Sequence, residues 1–368
     1  MKFCFVVHPT SLEDVARYEP GAAGKGRPII EKILEWMPAY AAAHVTGIRS
    51  PAGVETEGWF VAAALLPEQI LEFQRDKVYD KIVGAIEIGA NLGAEVAGLG
   101  AFTGVVGDAG VTIAQRSPIS VTTGNSLTVA AGVQSLLRGA RDMEIDSSQA
   151  TAVVVGATGS IGSACVELLA PHVRHIVLVA RNLTRLRKFA EAVSGQLACT
   201  TSFTTDLHEA VRRGQLILTA TSSTQEIIEP DDLQTGAVVC ELSLPHDVGR
   251  RVARERPDVL VTEGGNMRVP GTPRFERVRE PGRDFDFGMP PSTALACMAE
   301  TMILALENRR ESFTLGRGIE VGKVREISSL AEKHGFTLAA MRAFDRAITE
   351  EDVAATRGAA QARRLAPV

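Results

Sequence analysis

Cysteine and aromatic residues are scarce in this chain. The five cysteines, at positions 4, 165, 199, 240 and 297, are odd in number and none stands in a CxxC spacing. That argues against a disulfide framework or a structural zinc site and for a reducing compartment, the cytoplasm. Aromatics make up 5% of the residues and the net charge is −5. Neither value suits a general nucleic-acid binder, which needs a basic surface for the phosphates. Long apolar runs are also missing. Val61–Leu66 is among the longest, far short of the roughly 20 residues that a membrane-spanning helix needs. Met1–His8 has too short an apolar run for a signal peptide and no small-residue cleavage site, so it reads as a first strand. There is no internal repeat at solenoid periods.

The most informative feature present lies in the middle of the chain. Thr151–Val155 is a β-branched strand that runs into Gly156-Ala-Thr158-Gly159-Ser160-Ile161-Gly162, and an apolar helix follows at once. Glycines there let backbone N–H groups approach a pyrophosphate, and the helix N-terminus favours its negative charge. The spacing is GxxGxxG rather than GxGxxG, so the context carries the reading. A second strand, His175–Ala180, ends at Arg181, nineteen residues after Gly162. An NAD-binding chain would place Asp or Glu there for the ribose 2′-hydroxyl. Arg181, Asn182 and Arg185 suit a 2′-phosphate instead, which points to NADPH.

The alternation of strands and helices predicts an α/β protein. An N-terminal α/β substrate domain is expected over residues 1–148. A central doubly wound, Rossmann-type parallel sheet that binds NADP follows over 149–290. A C-terminal helical segment over 291–368 carries Cys297, and its tail from Ala354 reads as poorly ordered. Residues 268–291, rich in Arg, Pro and Gly, read as a long loop. Three strand ends of the cofactor domain offer further contacts. Thr221 and Ser222 close one strand and Ser243 another. Gly264 and Gly265, after a third, either admit the nicotinamide or simply make a turn.

Cys297 follows Pro290-Pro291-Ser292-Thr293. Ser292 or Thr293 is a suitable N-cap, which puts the cysteine within the first two helical turns. Leu295, Met298, Ala299, Met302 and Leu306 form an apolar stripe, and Cys297 points roughly 160° away from it, beside Ala294, Glu300 and Thr301. A helix N-terminus favours thiolate, the reactive form. Cysteine is equally a small hydrophobe that is often buried, so position alone leaves nucleophile and core filler both open.

Several motifs, in order, resemble the long-chain acyl-(acyl-carrier-protein) reductases, aldehyde-forming enzymes best known from cyanobacterial alkane synthesis. They are His8–Leu12, Leu66-Pro-Glu68, Leu99–Thr103, Thr122–Ser126, Val155–Gly162, Glu263-Gly-Gly265, Ala296–Glu300, Phe313–Arg317 and Lys333–Phe336, spread from about residue 1 to residue 341. The resemblance implies that Cys297 carries the acyl group and that the substrate is an acyl-carrier-protein or coenzyme A thioester. An acyl-enzyme is reduced by NADPH to an aldehyde, and the collapsing oxyanion needs donors. Thr123 and Asn125, at the start of an amphipathic helix, are the candidate donors, with a routine helix cap as the plain alternative. The loop 266–289 departs from the cyanobacterial pattern, which leaves chain length and carrier open.

Other readings compete. A shikimate-dehydrogenase-type alcohol dehydrogenase would need a Lys/Asp pair, for which Lys77, Asp80 and Lys81 are available. A glutamyl-tRNA-reductase-like enzyme would need its cysteine in the N-terminal domain, where Cys4 lies on a core strand. A non-catalytic NADP-binding protein would need neither. His246 and Glu300 are possible acids or bases. Arg250–Arg256 and the series Arg268, Arg274, Arg277, Arg279 and Arg283 are the richest basic stretches for docking an acidic carrier, with solvated charge as the plainer reading.

Overall fold

The computed structural model describes residues 1–365 as two compact α/β units. The first comprises Met1–Leu127, Met267–Gly318 and Gly322–Thr337. Among the described residues the second comprises Thr128–Asn266, Ile319–Val321 and residues 338–365. The expected break at 148/149 thus falls earlier, inside the helix Asn125–Asp142. The expected separate segment 291–368 is not a unit of its own, because its residues are shared between the two cores.

The first unit is built on a mixed six-stranded sheet. Its strands are β1 (Lys2–Val7), β2 (Tyr40–Arg49), β3 (Glu55–Ala62), β4 (Ala94–Leu99) and β5 (Ser120–Thr122), with Gly271–Arg277 as the strand beyond β2. That last strand corrects the loop expected over 268–291. Gly271 takes φ +87, and Gly47 lies so close that a side-chain carbon on it would sit 2.2 Å from the Thr272 carbonyl oxygen. Antiparallel pairing with β2 satisfies backbone groups that Arg and Pro content alone does not reveal.

Strand alternation decides what covers each face. Cys4 and Val6 pack toward the helix Arg75–Asn91, with Val61, Val78, Ile82 and Ile86 in one cluster. Gly89 permits that approach, since a side-chain carbon there would meet the Cys4 Sγ at 2.4 Å. Phe5 lies on the opposite face beside Gly98, where such a carbon would lie 2.1 Å from the Thr301 Oγ1. The helix Ala296–Leu306 therefore lies along β4, and it is buried on every side from Met298 to Leu306. The polar-looking face read from the sequence is buried as deeply as the apolar stripe, because glycine in the strand makes room for Thr301.

The second unit holds six parallel strands: β6 (Thr151–Val155), β7 (His175–Val179), β8 (Thr200–Thr204), β9 (Leu216–Thr219), β10 (Val238–Glu241) and β11 (Leu260–Glu263). Their order is β8-β7-β6-β9-β10-β11, so the chain reverses direction across the sheet between β6 and β9. That is the doubly wound Rossmann-type order. The central strands are buried Val/Ile/Leu runs, as strands covered on both faces must be. β8 begins at Thr200, after a turn in which Gly195 takes φ +73.

The tail corrects a second expectation. Glu350–Leu365 is a helix. The Thr349 Oγ1 accepts from the Asp352 N–H at 3.1 Å, and the Asp352 carboxylate accepts from the Thr349 N–H at 2.8 Å, a reciprocal cap. Acids fill the first turn and Arg363 and Arg364 the last, matching the helix dipole. The alanines that read as low order are strong helix formers. The last three residues of that tail lie outside the described residues. Among the described residues no helix is long and apolar enough to cross a membrane.

Candidate active site

In the second unit the glycine loop leaves β6 and opens the helix Ser160–Leu169, with Gly159 as its N-cap. The three glycines do different work. Gly156 takes φ +85, and a side-chain carbon there would lie 2.3 Å from the Ala220 carbonyl oxygen. One on Gly162 would lie 2.2 Å from the Gly156 carbonyl oxygen. Both are required by the protein's own packing. Gly159 is exposed, so it is the glycine that leaves the loop open to a ligand. Thr158, Ser160 and Ile161 complete the loop at the helix N-terminus, whose first N–H groups have no intrahelical partner.

Arg181, Asn182 and Arg185 follow β7, and all three are exposed. The Arg185 guanidinium donates to the Thr158 carbonyl at 3.3 Å, which holds it at the glycine loop. Asn182 uses its side-chain oxygen to cap the helix Leu183–Val193, accepting from the Arg185 N–H at 2.9 Å. The loop and the two arginines stand at the carboxyl end of the sheet, next to its reversal point, where open parallel sheets bind dinucleotides.

The other strand ends are more self-contained. The Thr221 hydroxyl donates to Asp247 at 2.6 Å and its N–H to the Ser243 Oγ at 2.8 Å, while Ser243 donates to Asp247 at 2.5 Å. Ser222 sits between these commitments without one of its own in that network. Gly264 packs on Cys240, and Gly265 takes φ +81, so both are needed for the turn itself. His246 lies 3.5 Å from the buried Glu241 carboxylate, which holds its pKa above the ordinary histidine range. A shallow depression lined by Thr151, Arg174, His175, Thr200 and Arg213 opens at the opposite end of the strands. Ligands of open parallel sheets bind at the carboxyl ends, so it is not the dinucleotide seat.

In the first unit, three of the sequence motifs meet. Cys297 is the second residue of its helix, whose N-cap is Leu295 rather than Ser292 or Thr293. Gly124, with φ +72, packs on it; a side-chain carbon there would lie 2.3 Å from the Cys297 Cα. Glu300, one turn on, is fully buried. Its Oε1 accepts from the Thr122 hydroxyl at 2.5 Å and the Thr314 hydroxyl at 2.8 Å, and its Oε2 accepts from the Leu127 N–H at 2.9 Å. Segments 122–126, 296–300 and 313–317 are thereby joined. From the sequence Glu300 reads only as a possible acid or base, and its spacing from Cys297 gives no sign of this clamp.

The two predicted donors differ. Thr123 commits both its N–H, at 2.9 Å, and its hydroxyl, at 3.2 Å, to the Thr314 carbonyl, so the hydroxyl is not free for an oxyanion. Asn125 is 8% exposed, and its Nδ2 has no hydrogen-bond partner among the described residues. The Leu127 N–H at this helix start is taken by Glu300. Asn125 is the donor left over.

Burial opposes the thiolate expected at this helix start. Cys297 keeps some surface open, yet burial pushes its pKa up to about 12, the nearby Glu300 charge adds to the rise, and the Met298 N–H only partly offsets them. A helix terminus contributes about 1 kcal/mol at such a position. A rise of about three pKa units corresponds to roughly 4 kcal/mol, so desolvation wins.

The remaining candidates are accounted for within the chain. Lys77 pairs with Glu35 at 2.7 Å, Asp80 lies 3.5 Å from Arg116, and Lys81 donates to the Leu34 and Met37 carbonyls at 2.8 and 3.0 Å. No Lys/Asp catalytic pair forms among them. Burial holds Cys4 as a thiol, its pKa pushed up to about 12. Most of the basic stretches are neutralised locally: Arg250 by Asp345, Arg251 by Glu229 and Glu255, Arg256 by Asp258, and Arg277 and Arg283 by Glu280. Among the described residues no group of three or more His, Cys, Asp or Glu is poised for a metal.

Comparison with known proteins places these features. Residues 139–262 match the family described as Shikimate / quinate 5-dehydrogenase. The matched stretch falls within the second unit, whose fold is of the Rossmann dehydrogenase type. Aminotransferase PigE of a Serratia species is 31% identical over 367 residues, covering 96% of this chain and 41% of that protein. The chain therefore spans about two fifths of that relative's length. The long-chain acyl-(acyl-carrier-protein) reductase of Synechococcus elongatus is 26% identical over 348 residues, covering 91% of this chain and 98% of that protein. Among solved structures, L-tryptophan dehydrogenase from Nostoc punctiforme aligns with TM-score 0.44 at 10% identity over 98% of this chain and 88% of that one. Shikimate 5-dehydrogenase from Listeria monocytogenes aligns with TM-score 0.36 at 11% identity over 89% and 96%.

Proposed function

We propose that this chain reduces a fatty acyl thioester, carried by acyl-carrier protein or coenzyme A, to an aldehyde through an acyl group on Cys297. The observation that carries the reading is the Cys297 site: a cysteine in the first turn of its helix, packed on Gly124, with the next residue, Asn125, holding a buried unpaired amide. The near full-length similarity to the Synechococcus reductase supports it. Amino transfer is not carried over from the Serratia relative, of which this chain spans too little.

In the first step the Cys297 sulfur attacks the thioester carbonyl, the bond to the carrier sulfur breaks, and the Cys297 proton leaves with the carrier as its thiol. NADPH, when bound, would supply the hydride, and Gly159, Thr158, Arg181 and Arg185 are the residues that would hold it. As the acyl carbon is reduced its oxygen would carry the negative charge, and Asn125 Nδ2 is the donor offered to it. Collapse breaks the bond to Cys297 and releases aldehyde. One proton returns to the sulfur, which at a pKa of about 12 keeps it.

Intact-protein mass spectrometry with palmitoyl-carrier protein and no NADPH, beside Cys297→Ala, tests the reading. The expected result is a palmitoyl adduct on the native chain alone, discharged as aldehyde when NADPH is added. Absence of an adduct with every acyl-carrier-protein and coenzyme A thioester, short or long, would overturn it.

A further inference from the structure

We infer that Glu300 is a positioning residue of the Cys297 site: its carboxylate ties the Cys297 helix to the start of the Asn125 helix, so that the unpaired Asn125 amide is held for the oxyanion. This rests on the acyl-thioester reading above.

The hydrogen bonds leave little freedom at this position. The Thr122 oxygen already accepts from the N–H groups of Thr314 at 3.1 Å and Gly124 at 3.3 Å, so its own proton goes to Glu300. Thr314, which also lies 2.8 Å from the Ser126 hydroxyl, approaches the same carboxylate oxygen, and the Leu127 N–H takes the other. Both carboxylate oxygens act as acceptors. Glutamine has the same shape but brings an NH2, which would face a Thr122 oxygen whose lone pairs are spent or a Leu127 N–H. Glu300, one turn after Cys297 and bonded to Thr122 and Leu127, has no exposed surface, so exchanging protons with solvent is not its work.

The clamp accounts for what each neighbour does. Gly124 touches Cys297, Thr123 is fixed to Thr314, and Asn125 is the residue whose donor remains. A carboxylate at the start of the Asn125 helix also satisfies one of its orphan N–H groups.

Two readouts separate positioning from simple damage. Glu300→Gln is expected to slow acylation of Cys297 about tenfold or more, because Asn125 is no longer held. It is also expected to move the midpoint of Cys297 alkylation by iodoacetamide to lower pH, because a nearby negative charge is gone. Asn125→Ala is expected to slow acylation similarly without moving that midpoint. The double variant is expected to acylate no more slowly than the slower single one. Should Glu300→Gln fail to fold, Thr314→Val removes one donor to the carboxylate and is expected to give a smaller loss, again without a further loss on adding Asn125→Ala. Acylation at the native rate in both variants, multiplicative losses, or acylation and alkylation slowed together would overturn the inference. A native chain that accepts no acyl group would instead overturn the reading beneath it, an outcome distinct from a defect seen only in the variants.

Discussion

A side-chain carbon on Gly124 would lie 2.3 Å from the Cα of Cys297. Backbone presses on backbone there, so neither segment can give way by rotating a side chain. Gly124 also takes φ +72, which L side chains rarely adopt. Gly124→Ala is therefore expected to cost at least about 2 kcal/mol, as strained and overpacked sites do. Urea unfolding measures it, and a variant as stable as the parent would show that the two segments do not touch as described.

The Cys297 thiol, with a pKa pushed up to about 12, is expected to react slowly with iodoacetamide at pH 8. An ordinary cysteine is about one-quarter thiolate at that pH and Cys297 roughly one part in ten thousand, so the rate falls about a thousandfold. The rate should climb steadily as pH rises past 9. A midpoint near pH 8 would contradict the burial argument.

Removing Arg181 and Arg185 together is expected to weaken NADPH binding about tenfold or more and to leave NADH nearly unchanged. A guanidinium–phosphate contact contributes about 1.5–3 kcal/mol, and NADH lacks the 2′-phosphate. Fluorescence titration with each dinucleotide checks this. Equal losses for both would place these arginines elsewhere than at the ribose.

His8 is expected to make stability depend on pH. Its Nδ1 donates to the Pro9 carbonyl at 2.9 Å and its Nε2 accepts from the Phe102 N–H at 3.2 Å, so the folded chain holds the neutral ring. Burial lowers its pKa to about 4, against 6.5 when unfolded. Between those values the unfolded chain binds the proton first, so stability present above pH 6.5 is lost as pH falls toward 4, by up to about 3 kcal/mol. Denaturant unfolding at pH 7 and 5 should show this slope shrink in His8→Gln. An unchanged slope would assign the pH dependence to other groups.

Thr349→Ala is expected to cost about 1 kcal/mol through loss of the reciprocal cap. Hydrogen exchange would show it as faster exchange confined to the helix Glu350–Leu365. Fast exchange already in the parent would return the tail to the disordered state read from its alanines and glycine.

Patterns that depend on neighbours along the chain were legible without a structure. β6 and the glycine loop declare themselves because strand, turn and helix follow one another within a dozen residues. The doubly wound sheet follows from strand–helix alternation, and Cys297 falls near a helix start because prolines precede it. What only the tertiary structure decided depends on residues far apart in sequence. Gly271–Arg277 became a strand because β2 offers it hydrogen bonds. The pKa of the Cys297 thiol is pushed up because packing removes water, which outweighs a local helix terminus. Glu300 became a clamp because Thr122, Leu127 and Thr314, 178, 173 and 14 residues away, converge on it. Backbone propensity and helix ends act over a few residues and can be read from the chain. Desolvation and hydrogen-bond convergence belong to the folded core and exist only once distant segments meet.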